Sequence, residues 1–96
     1  MYESVARIRN PFPGPTTVFV EPWGVPLALE RGETIVFEFE AETPGVPEAL
    51  RSEAGLVVVA WPGASVRATR DGAEVFLSDP GAGPTRPSTP PPSSAR

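Results

Sequence analysis

The stretch that decides the fold reads Glu33-Thr34-Ile35-Val36-Phe37-Glu38-Phe39-Glu40-Ala41. Apolar side chains occupy every second position from Ile35 to Ala41, and most of the positions between them are charged. A period of two places alternate side chains on opposite faces of a strand, one packed and the other in water. We therefore predict a half-buried β-strand over residues 33–41, with Phe37 directed into the core.

Short runs rich in valine, isoleucine, phenylalanine and threonine recur between prolines and glycines, a pattern typical of strands and unfavourable to long helices. The other predicted strands span residues 4–10, 16–21, 25–29, 55–61, 65–70 and 73–77. Pro26 cannot donate a hydrogen bond to a sheet, so its strand is predicted at an edge. The run from Leu56 to Trp61 lacks alternation, which predicts a central strand covered on both faces.

Turns are predicted at Glu30-Arg31-Gly32, Pro62-Gly63 and Asp71-Gly72. The last two predict a three-stranded meander over residues 55–77. Residues 43–54 fit two structures. A proline near the start of 47–54 and a glycine after its end are typical of a short helix, but the segment equally fits an eighth strand that ends in a Glu53-Ala54-Gly55 turn.

These elements predict a small all-β domain over residues 1–78, built from seven or eight short antiparallel strands in a β-sandwich or a flattened barrel. From Asp79 onward the chain contains proline, serine, threonine and glycine but no large apolar residue. Such a segment cannot bury enough apolar surface to offset its ordering entropy, so residues 79–96 are predicted to be a disordered proline-rich tail. Its Pro84, Pro87 and Pro90 have the spacing that aromatic grooves recognise, which is also common in linkers.

The composition narrows the possible functions. The 96 residues include no cysteine and no histidine, and all eight basic residues are arginine. The chain therefore lacks the commonest metal ligands and the usual bases that activate a nucleophile, so we expect no enzyme activity and no cofactor or metal. A net charge of -4 argues against binding to nucleic acid or to an anionic membrane. We also expect a bacterial origin from the arginine, alanine and proline bias, and a cytoplasmic location, because no basic and apolar leader segment is present.

Two groups of residues are candidate sites. Glu38, Glu40 and Glu42 project from one face of a strand, where paired carboxylates could hold a cation or act as acid and base. The simpler interpretation is a solvated face on which these carboxylates pair with Arg7, Arg9 and Arg67.

The second candidate is a binding surface made of Glu21, Trp23 and Trp61, because each tryptophan stands at the end of a strand, before a turn. Together the two indoles could form an aromatic platform for a sugar or a peptide. The competing interpretation is that each indole closes one end of the core, with its N–H bonded to a backbone carbonyl.

The string Glu21-Pro22-Trp23-Gly24 resembles small uncharacterised bacterial proteins with an EPWG-type motif in a short β domain. The further positions that carry the resemblance are Leu27, Leu29, Gly32-Glu33, residues 62–67 and Asp71-Gly72. The resemblance covers residues 16–75 and implies a fold rather than an activity. Residues 29–37 also resemble the strand–turn–strand of cupredoxin-like sandwiches, but copper binding is not implied, because the histidine and cysteine ligands of that family have no counterpart here.

The function expected from the sequence is that of a non-enzymatic accessory or protein-interaction module, with another protein as its partner. The alternative is a β-sandwich that binds a small ligand, a sugar or a peptide through exposed tryptophans. A metal or hydrolytic site built on carboxylates ranks third. The sequence does not indicate the oligomeric state.

Overall fold

The computed structural model describes residues 1–78, and every regular element in that range is a β-strand. The strands are β1 (Tyr2–Arg9), β2 (Thr16–Glu21), β3 (Val25–Leu29), β4 (Thr34–Ala41), β5 (Glu48–Ser52), β6 (Gly55–Val59), β7 (Ser65–Arg70) and β8 (Ala73–Leu77). The all-β prediction is confirmed. The segment that fitted either a helix or a strand forms β5, which a two-residue turn joins to β6. The predicted tail, residues 79–96, lies outside the described residues.

The strands form two sheets of four, so the domain is a sandwich. Sheet A has the strand order β1-β4-β7-β8, and sheet B has the order β3-β2-β6-β5. The pairing is antiparallel everywhere in residues 1–78 except between β2 and β6, which run parallel. That parallel pair was not expected, because a parallel contact joins strands that are distant in the chain.

The core lies between the two sheets and is centred on β4. Ile35, Phe37 and Phe39 are all buried, as the alternation predicts, and the rings of Phe37 and Phe39 stack at a centroid distance of 6.4 Å. From sheet B, Val18, Val20 and Val58 are almost completely removed from water. Burial of a side chain of this size stabilises the fold by about 1.5 to 3 kcal/mol.

The structure confirms the predicted positions of β3 and β6 in their sheet and corrects the prediction about the outer face of β6. The strand with Pro26 lies at an edge of sheet B, and β6 is central in that sheet. The prediction that both faces of β6 are covered is wrong, because Val57 and Val59 on its outer face are only half-buried. Residues 1–78 form two layers, so no third layer lies on that outer face.

The predicted meander over residues 55–77 is also wrong. The Asp71-Gly72 hairpin is present, with φ values of 54° and 80°, but β7 pairs with β4 and β8 rather than with β6. Both edges of β6 are already occupied by β2 and β5. The turn at Pro62-Gly63, closed by a hydrogen bond from the Ala64 N–H to the Trp61 carbonyl (3.0 Å), therefore carries the chain across to the other sheet.

One buried polar side chain, Asn10, connects the two sheets at the end of β1. Its amide nitrogen donates to the carbonyls of Gly14 (2.8 Å) and Leu29 (3.0 Å), and its side-chain oxygen accepts the N–H of Phe12 (2.8 Å). These bonds satisfy a polar group that is only 5% exposed. Asn10 thereby holds the 10–14 turn against β3.

Candidate functional site

Trp61, one of the three residues of the predicted binding surface, lies in the core. Its side chain is 8% exposed, its ring packs against Phe39 with a centroid distance of 5.9 Å, and its indole N–H donates to the Thr43 carbonyl (3.0 Å). The backbone at Gly45 lies directly on the indole. Trp61 therefore closes one end of the core, as the competing interpretation predicts, and offers no exposed ring face to a ligand.

Trp23 occupies the turn between β2 and β3, where the sequence predicts it. The ring is partly buried and packs against Phe76 of β8, with a centroid distance of 5.8 Å and an interplanar angle of 57°. This contact joins the ends of the two sheets. The two tryptophans have different aromatic neighbours, and the platform of two exposed indoles is not formed.

Glu21, the third residue, ends β2 and is half-buried on the outer face of sheet B. In the parallel pairing of β2 with β6, Glu21 lies beside Val59, and its carbonyl accepts the N–H of Ala60 (3.0 Å). Glu21 therefore belongs to the outer surface of sheet B, whereas Trp61 belongs to the core.

The acidic residues of β4 lie on the outer face of sheet A. Glu38 and Glu40 are exposed, and Glu3 of β1 is the register partner of Glu40. These three carboxylates line an open depression together with Val5, Arg67 and Leu77. Within residues 1–78, no group of three or more histidine, cysteine or acidic side chains is arranged to hold a metal ion.

The ion pairs predicted on this face are not formed within residues 1–78. Arg7 and Arg9 lie opposite Val36 and Thr34. Arg67 is the register partner of Glu38, but its Nε contacts Glu74 of β8 at 3.3 Å. Both side chains of that pair are about half exposed, so it contributes at most about 1 kcal/mol to stability.

The outer face of sheet B carries a feature that is not among the sites predicted from the sequence. One residue from each strand lines up in register to form a continuous apolar row: Leu50, Val57, Phe19 and Pro26. Leu50 is 53% exposed, Pro26 is exposed, and the other two are half-buried. The unbroken run from Leu56 to Trp61 was the available signal, because it makes the outward side of β6 as apolar as the inward side.

Two carboxylates border the apolar row. In the adjacent register row, Val59 stands between Glu48 of β5 and Glu21 of β2. The outward positions of sheet B carry no arginine within residues 1–78, since Arg51 alternates to the other side of β5, with its guanidinium 5.3 Å from the ring centre of Phe12. The face can therefore bury apolar groups and attract a cation beside them.

Comparison of the chain with protein-family models, with curated proteins and with solved structures found no match. Among residues 1–78, no helix has the length and apolar character needed to cross a membrane. The outer face of sheet B must be interpreted from its own chemistry.

Proposed function

We propose that the chain is a non-enzymatic protein-interaction module, and that its partner, another protein, binds to the outer face of sheet B. The observation that carries the proposal is the apolar row, in which four side chains from four strands adjoin one another at the surface. Isolated exposed apolar residues are ordinary, but contiguous ones mark interaction surfaces. Covering them would release about 25 cal/mol for each Å² of apolar surface removed from water.

The acidic border specifies the kind of partner. A segment that lays apolar side chains along the row, with an arginine or lysine next to it, would place that cation near Glu21 and Glu48. A net charge of -4 on the whole chain would favour the approach of a basic partner. We therefore expect binding to weaken as the salt concentration rises, with the apolar contact remaining.

The prediction that the protein has no enzyme activity rests on the sequence. The chain has no histidine, cysteine or lysine to serve as a base or a nucleophile. The role as an accessory module, the bacterial origin and the cytoplasmic location stay predictions. The alternative, a ligand site on exposed tryptophans, depends on Trp23 alone, since Trp61 is buried.

The proposal can be tested by placing a photo-crosslinking amino acid on each sheet in turn. Leu50 on sheet B and Leu77 on sheet A have matched exposures of 53% and 56%. In cells of the native host, a probe at Leu50 should give a discrete adduct with another protein, and a probe at Leu77 should not. Equal labelling at the two positions, or no adduct at Leu50, would contradict the proposal.

Purified variants extend the test to the charged border. Leu50→Asp should abolish binding to the crosslinked partner, whereas Leu77→Asp should leave it unchanged, and both exposed sites should tolerate the substitution with little loss of stability. Glu21→Gln combined with Glu48→Gln should reduce the salt dependence of binding. If binding by the double glutamine variant keeps the parent's salt dependence, the partner's charges lie elsewhere.

A further inference from the structure

The free edge of β1 is the longest unpaired strand edge in residues 1–78. β1 has eight residues, whereas the other three edge strands have five each. The Asn10 N–H donates to the Glu33 carbonyl (3.1 Å), which continues the β1–β4 register by one pair. In an antiparallel ladder, alternate residues bond to the neighbour, so the even-numbered residues of β1 bond to β4. The N–H and C=O groups of Glu3, Val5, Arg7 and Arg9 therefore point to the open edge.

Open strand edges are usually protected against pairing with another chain. β3 carries Pro26 on its strand, and β8 joins its neighbour across a bulge at Ala68/Thr69. β1 has neither a proline nor a bulge along its length. The backbone groups of this edge are therefore neither removed by a proline nor displaced by a bulge, and β5, which shares both features, is three residues shorter.

The outward side chains of β1 have an unequal distribution of charge. Glu3 lies at one end of the strand, and Arg7 and Arg9 lie at the other. Glu3 lies opposite Glu40 of β4, which is an unfavourable like-charge arrangement. The two arginines lie opposite uncharged residues of β4. Arg67–Glu74 is the one ion pair in the described part of the chain, so these β1 charges are unpaired there.

We propose that β1 is a self-association edge, to which a second copy of the chain adds its own β1 in antiparallel orientation about a two-fold axis at Ala6. A strand with an acid at one end and bases at the other is complementary to its own reverse. This register places Glu3 of each copy opposite Arg9 of the other, with Arg7 of the other copy at the diagonal position. Each Glu3 carboxylate then has cations beside it, which offsets its repulsion by Glu40.

The backbone supports the same register. Residue 3 of one copy lies opposite residue 9 of the other, and residue 5 lies opposite residue 7. The backbone N–H and C=O groups that point to the open edge therefore pair with each other, and about eight hydrogen bonds form. The pleat continues across the axis, which keeps the charged side chains on the outer face. On the inner face, the half-buried Ala6 and Ile8 of each copy gain cover.

The two-fold axis is perpendicular to the sheets, so both copies keep the outer face of sheet B open and directed to the same side. The dimer does not depend on the proposed function. If both hold, the dimer presents two equivalent binding faces, and a partner with two sites would bind with avidity.

The test measures self-association of the full chain by sedimentation over a range of protein concentrations. The parent should show a monomer–dimer equilibrium that weakens when salt rises from about 50 to about 500 mM, because exposed ion pairs are screened. Arg9→Glu should weaken the dimer about tenfold or more, since it replaces both Glu3–Arg9 contacts with repulsion. Glu3→Arg combined with Arg9→Glu should restore it. Arg31→Glu makes the same charge change in the exposed β3–β4 turn, beside Arg9. It should weaken the dimer less than Arg9→Glu, because Arg31 is not on β1 and has no register partner in the other copy.

Val5→Pro gives a test that does not depend on charge. The Val5 N–H faces the open edge, so a proline there should leave the β1–β4 ladder intact while blocking the intermolecular pairing. Circular dichroism that matches the parent would confirm that the fold is kept. A parent that stays monomeric at every concentration, or a dimer that is insensitive to both Arg9→Glu and Val5→Pro, would overturn the proposal.

Discussion

Replacing Gly45 with alanine tests the burial of Trp61 directly. A Cβ at position 45 would lie 2.7 Å from Cδ2 of the indole and still closer to Cγ and Cδ1. Gly45 does not have a positive φ, so the requirement for glycine is steric. The added methyl group must displace either the indole or the loop, and a displaced loop takes the Thr43 carbonyl away from the Trp61 N–H.

The cost follows from those contacts. Overpacking of a well-filled site costs about 1 to 3 kcal/mol, and a buried donor that loses its partner falls in the same range. In a domain of this size each kcal/mol lowers Tm by about 4 to 8 °C, so Gly45→Ala should melt roughly 5 to 20 °C below the parent. Gly14→Ala is the matched control, because no heavy atom lies within 4 Å of the added Cβ. Its Tm should remain close to that of the parent.

Thermal unfolding followed by circular dichroism gives the Tm, and fluorescence in a Trp23→Phe background reports on Trp61 alone. Gly45→Ala should shift the Trp61 emission towards that of a more exposed indole. In a Trp61→Leu background the same glycine substitution should cost much less, because the colliding ring is absent. The reasoning would be refuted if Gly45→Ala melted with the parent and left the emission unchanged.

Two further substitutions and one deletion test the fold. Phe37→Ala should lower the free energy of unfolding by about 3 to 5 kcal/mol in urea titration, since Phe37 is completely buried. An unfolding midpoint equal to that of the parent would contradict the central place of this ring in the core. Trp23→Ala should cost about 1 to 3 kcal/mol through loss of the packing against Phe76, and an overlaid melting curve would instead favour a binding role for Trp23. Deletion of residues 79–96, which contain no large apolar side chain, should leave Tm unchanged, and a loss of several degrees would contradict their assignment as a tail.

Local pattern was sufficient to predict most strands and the direction of their side chains. The alternation over 33–41 depends only on neighbours in the chain, so it correctly assigned Phe37 to the core. The edge position of Pro26 follows from a missing donor, and the Asp71-Gly72 turn follows from backbone conformations that those residues adopt readily. Each of these features has its cause within a few residues.

Strand partners and surface neighbours were decided by the tertiary structure. The predicted meander pairs β6 with β7, but β6 lies between β2 and β5, because pairing depends on packing among segments far apart in the chain. Trp61 is buried because the 43–45 loop folds over it. The residues next to Trp61 in the sequence do not indicate that this loop will cover the indole. The apolar row draws one residue from each of four strands, and a shift of one register position would turn those side chains to the opposite face. The apolar run of β6 indicated an apolar outward side for that one strand, but the row across four strands exists only once the register is set.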